Sequence, residues 1–159
     1  MRLPKAIAER VQPVLDALPL DRAMEQLVVT RGAPNALANL AQGAVASPEL
    51  AARPSLCAGL WLYIDELDRS HTISQGIDDA TGSFWHGIMH RREGDFSNSH
   101  YWFNRVGKHP AMLSIDGYDA HKFIDDVEAH HVKSPAELVD LQRKEWAALF
   151  FWCAELSVK

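Results

Sequence analysis

The chain has 159 residues, 47% of them hydrophobic and 23% charged, with a net charge of −5 and a pI near 5.9. That length can bury a core in one domain without covalent staples, and the acidic balance excludes a duplex-coating nucleic-acid binder, which needs a basic surface. No apolar run approaches the roughly 20 residues that span a bilayer, and the opening MRLPKAIAERVQPVLDALPL is too acidic and too interrupted for a secretory signal peptide.

The apolar pattern is helical from the start. Ile7, Val11, Val14, Leu15 and Leu18 share one helical face, with Pro13 placed to kink or restart the run. DRAMEQLVVT is a second predicted helix, with Asp21 as its cap and RG as its stop. PNALANLAQGAV is a third, entered at Pro34, and SPEL opens a short fourth at Ser47. From Ser55 a strong helix is predicted through LCAGLWLYIDELDRSH, with Leu56, Leu60, Ile64 and Leu67 in its stripe and His71 next on it.

SFWHGIMHRRE predicts a helix stopped at Gly94, and Asp95 or Ser97 caps the next, NSHYWFNRV, which Gly107 ends. AMLSIDGY is the one plausible scrap of strand. Asp119 caps AHKFIDDVEAHH, and Ser134, Pro135 and Glu137 form a capping box for a last helix reaching about Leu156. The expectation is an all-α bundle of about seven helices in one domain. Cys57 and Cys153 lie in apolar surroundings and read as core thiols, which fits a reduced, cytoplasmic protein.

Four of the eight histidines fall between Gly82 and Pro110. On a helix, His86, His90 and Glu93 share a face, the arrangement by which one helix offers two imidazoles and a carboxylate to a divalent metal such as zinc. The zinc-protease pattern is not met, because Gly87 stands where its glutamate base belongs. Phe84, Trp85, Ile88 and Met89 form the core stripe of the same helix. Arg92 projects into that arc and needs a carboxylate from Asp65, Asp68, Glu93 or Asp95.

On the next helix Asn98, Tyr101, Trp102 and Arg105 share a face suited to a ligand, with rings to stack and a guanidinium for an acid group. The plainer reading of that face is Arg105 packed on Trp102 by a cation–π contact. Asp68, three residues before His71, is placed to fix its tautomer and leave the other nitrogen as a base. His109 precedes Pro110 in an extended turn. His100, His121, His130 and His131 read as solvent-facing.

LDRSHTISQ, followed by GSFWHGIMHRREGDFSNSHYWFNRVGKHP, resembles a group of bacterial and fungal proteins. That group shares a His-x-Ile-Met-His-Arg-Arg block and a Tyr-Trp-Phe-x-Arg-Val-Gly-x-His-Pro end. The likeness covers about Leu60 to Pro110. It implies that these helices meet around a site, and it supplies no activity.

Two functional expectations follow. In one, the protein is an enzyme or a small-molecule binder. His71 or His86 carries the proton, with Asp68 orienting His71, while Asp95, Asn98, Tyr101, Trp102, Arg105 and His109 hold a small anionic or aromatic ligand. In a variant of this reading, His86, His90 and Glu93 hold a metal that makes hydrolysis the natural reaction. Arg91 or Arg92 could assist Arg105 with the anion. In the other, the polar cluster is structural and WAALFFWCAEL mediates dimerisation or partner binding. No serine or cysteine nucleophile motif is present.

Overall fold

The computed structural model describes residues 2–156, and every regular element among them is helical. In chain order these are α1 Lys5–Ala17, α2 Asn35–Val45, α3 Pro48–Ala51, α4 Pro54–Tyr63, α5 Leu67–Ser74, α6 Ala80–Glu93 and α7 Phe96–Val106. After a 3-10 turn at Pro110–Ser114 come α8 Ala120–His130, a second 3-10 turn at His131–Lys133, and α9 Ala136–Glu155. The all-α expectation holds, with nine α-helices among the described residues where the sequence predicts about seven. None of these helices is long and apolar enough to cross a membrane.

Helix α6 occupies the centre. Every residue from Thr81 to Arg92 is buried, the polar ones included, so this helix has no solvent face in its middle turns. Asp79 caps its start by accepting from Gly82 N–H, and Gly94, in the left-handed region at φ 87°, ends it. Around it lie α4, α5 and α7. Trp146 and Phe150 of α9 stack with centroids 4.5 Å apart, and Trp146 Nε1 donates to the Gly59 carbonyl of α4 at 2.7 Å. Trp146, Leu149, Phe150 and Cys153 of α9 are buried, while Phe151 and Trp152 in the same stretch are half-buried. Cys57 and Cys153 are free, buried thiols, as their surroundings in the sequence indicate.

Several local predictions are corrected. Asp21–Thr30 is irregular, not helical. Tertiary partners take the carbonyls that a helix would have used. Arg143 Nε donates to Ala23, Gln142 Nε2 to Met24 and Gln26, and Arg92 Nη2 to Gln26, at 2.8 to 3.2 Å. Met24 adopts φ 53°, a strain of roughly 1–2 kcal/mol that these bonds sustain.

The single helix expected from Ser55 to His71 is two. Asp65, at φ 65°, breaks it, and the chain doubles back so that Ser70 Oγ of α5 donates to Ala58 O of α4 at 2.8 Å. The AMLSIDGY piece forms a 3-10 turn and a bend, not a strand. The capping box at Ser134 does not form, because Ser134 is left-handed at φ 42° and turns its hydroxyl back to His131 O. Pro13 does not restart the first helix, and α1 runs through it.

Candidate metal centre

Three imidazoles meet where α5 crosses α6. His86 and His90 stand one turn apart on α6 and are buried, while His71, from α5, is half-buried. The His86 and His90 rings are nearly parallel, with centroids 4.7 Å apart, and His71 meets them edge-on at 4.7 and 5.4 Å. One ring nitrogen of each lies within 4.8 Å of the others, so the trio could hold a divalent ion.

The sequence pattern puts His86 and His90 in this site, but it points to Glu93 as the third ligand and gives His71 a separate role. The hairpin at Asp65 explains the difference. It carries α5 back across α6, which no periodicity within one helix can reveal.

Glu93 takes a different position. Its Oε1 lies 2.6 Å from His90 Nδ1, so the carboxylate accepts that N–H and fixes the tautomer. His90 Nε2 then carries the lone pair, which accepts from Asn98 Nδ2 of α7 at 3.2 Å, and an ion bound at this nitrogen would displace that donor. Glu93 also forms, with His90 and Asp95, a second group of donors within 4.8 Å, but both carboxylates there are exposed.

His86 Nδ1 is fully buried with no hydrogen-bond partner. Its imidazole is held down to about 4 by burial first, then by the neighbouring His90 and His71. An imidazole that resists protonation keeps its lone pair available to a metal at neutral pH.

Helix α7 supplies the rest of the wall. Trp102 stacks on His86, with centroids 3.8 Å apart and planes 13° from parallel. Arg105 sits over the Trp102 ring at 5.4 Å, and Tyr101 meets it edge-on at 5.4 Å while remaining 54% exposed. Close approach of α6 and α7 depends on Gly87: a Cβ there would lie 2.7 Å from the Phe103 ring. Ser99 Oγ donates to Gly87 O at 2.7 Å along the same seam.

Two expected site residues lie apart. The Asp68 side chain is exposed and, among the described residues, makes no hydrogen bond to His71; only its backbone carbonyl is engaged, by Thr72. The first turn of α5 points this carboxylate to solvent. His109 is buried in a structural setting. Its Nδ1 accepts from Ala111 N–H, Nε2–H donates to Thr81 Oγ1, and the ring packs on Phe84 and Trp152.

The α6 arginines are also committed elsewhere. Arg91 pairs through two bonds with Glu145 of α9, both side chains fully buried, and Tyr118 donates to the same carboxylate. Arg92 pairs with Asp65 at 2.5 Å and donates to Leu62 O, whereas Arg105 of α7 forms no ion pair among the described residues and packs on Trp102 beside His86. His100 and His121 do not simply face solvent, as their neighbours in the sequence suggest. Their Nδ1 atoms share a 2.7 Å hydrogen bond between coplanar rings, and Asp125 accepts from His100 Nε2. Nothing in the sequence links α7 to α8 at this point.

No protein-family model, curated protein or solved structure matches the chain.

Proposed function

We propose that the protein binds a divalent metal ion through His71, His86 and His90 and uses it in chemistry on a small anionic ligand. The observation that carries this reading is the convergence of three ring nitrogens from two helices, one of them on an imidazole that stays neutral down to about pH 4. Three protein nitrogens leave one position of a tetrahedral ion open, and there the ion would polarise an oxygen or activate a bound water, which makes hydrolysis the natural reaction.

The protein's own groups have defined parts. Glu93 holds His90 in the tautomer that puts the lone pair on Nε2, and Asn98 would yield that nitrogen to the ion. Trp102 fixes the plane of His86 by stacking. Arg105, exposed at the end of the same stack, is the group for a carboxylate or phosphate on the ligand.

Cobalt titration tests the proposal, because the visible spectrum of cobalt(II) reports donor set and geometry. The expected spectrum is that of a four-coordinate, nitrogen-rich ion at one equivalent. Adding acetate or phosphate should perturb it in the parent protein, and less so in Arg105→Ala. A spectrum matching hexa-aqua cobalt at all concentrations contradicts the proposal.

A further inference from the structure

A second cleft lies away from the histidines, where α1 ends, the irregular Pro19–Pro34 segment passes, and α2 begins. Its volume of about 440 Å³ falls in the range of small-molecule sites, roughly 300–1,000 Å³. Its apolar lining is Leu18, Met24, Leu37, Leu40 and Ile64. Met24 and Ile64 are buried, Leu18 and Leu37 half-buried, and Leu40 is 39% exposed, so the apolar surface runs from the core to the mouth.

The charged lining is Arg22, Glu25, Arg31 and Asp65. Asp65 is already neutralised by Arg92 at 2.5 Å. Arg22, Glu25 and Arg31 are exposed and, among the described residues, form no ion pair. Arg22 and Arg31 set two free guanidiniums on the rim over an apolar interior, beside the carboxylates of Glu25 and of Glu66, the latter accepting from Ala33 N–H at 3.2 Å.

The cleft is also preformed. Its irregular wall is pinned from inside by Arg92, Gln142 and Arg143 through the carbonyls of Ala23, Met24 and Gln26. Met24 and Asp65, both non-glycine residues at positive φ, line it. Strained backbone of this kind persists only where its surroundings hold it, and it gathers at ligand sites.

We propose that this cleft binds a small amphiphilic carboxylate. The acid group would lie between Arg22 and Arg31, with the hydrocarbon against Leu18, Met24, Leu37, Leu40 and Ile64. The cleft shares no residue with the metal centre and would fill whether or not a metal is bound.

The test uses octanoate, octanol and octylammonium, each titrated into the intact chain in EDTA while methyl resonances are followed by NMR. Octanoate should bind saturably and shift Met24, Leu37 and Leu40. Octanol should bind about tenfold more weakly or less, and octylammonium not at all. Arg22→Gln combined with Arg31→Gln, two exposed positions whose loss leaves the core intact, should weaken octanoate about tenfold or more, as loss of charged hydrogen bonds requires. Leu37→Asn should weaken octanoate and octanol alike. Non-saturable binding, equal binding of octylammonium, an unaffected double variant, or shifts centred on His71 and His90 would each overturn the proposal.

Discussion

Glu93 Oε1 sits 2.6 Å from His90 Nδ1, three residues along the same helix. The carboxylate holds the ring nitrogen opposite the one that Asn98 meets, which under the proposed function makes it an orienting partner of His90 and not a ligand. Glu93→Gln should weaken zinc affinity by roughly 10–100-fold, the usual loss for a partner that orients a ligand. Calorimetric titration against a competing chelator measures this. Abolished binding, equal to that of His90→Ala, would make Glu93 a ligand after all; unchanged binding would remove its orienting role.

Gly87 is needed for the contact between α6 and α7. A methyl group there would stand 2.7 Å from the Phe103 ring, closer than packed atoms tolerate. Gly87→Ala should cost about 1–3 kcal/mol in urea unfolding, in the range of overpacked cores. Phe103→Leu in the same chain should recover part of that loss. A Gly87→Ala protein as stable as the parent contradicts the packing argument.

Much of the fold can be read from the chain, since caps and stops act locally. Gly94, Asp95, Gly107 and Asp119 mark helix ends by hydrogen bonds that span only a few residues. The failures share a cause. Asp21–Thr30 has a helical pattern but is held open by Arg92, Gln142 and Arg143, the last two more than 115 residues away.

The site divides in the same way. His86 and His90 are legible from a spacing of four on one helix, and the stacking face of Trp102 and Arg105 from a pattern on the next. His71 stands out as chemically active, but its partners depend on the Asp65 reversal. Asp68 follows from spacing alone, which does not fix where an exposed side chain turns.

Glu145 and Arg91 are both fully buried, and their pairing joins α6 to α9. Glu145→Ala strands a buried guanidinium and should cost about 3–5 kcal/mol. Replacing both members together, as Arg91→Met with Glu145→Leu, should cost clearly less, because no buried charge is left unpaired. Denaturant midpoints of the single and double variants decide the matter. A double variant as unstable as the sum of the two singles contradicts it.

Acid should destabilise the metal-free protein through its buried histidines. His86 is lowered from 6.5 to about 4 by burial and its histidine neighbours, and burial also lowers His109. Between about pH 4 and 6.5 the unfolded chain binds a proton at His86 that the folded chain refuses, and His109 acts in the same direction, so stability falls as pH drops. Each tenfold difference in proton affinity between the two states is worth about 1.4 kcal/mol. Equilibrium unfolding at pH 7.5, 6 and 5 in EDTA should show a progressive loss, and the His86 ring proton should titrate below pH 5. Stability that is flat or rising toward pH 5, with His86 titrating near 6.5, is the opposite result.

Zinc titration of the EDTA-treated chain at pH 7 tests the central claim most directly, with His71→Ala and His86→Ala run beside the parent. The trio predicts one zinc per chain, bound at least a hundredfold more tightly than by either variant, both of which still fold by circular dichroism. Binding that is absent in the parent, or that persists undiminished in both variants, contradicts a metal centre at His71, His86 and His90.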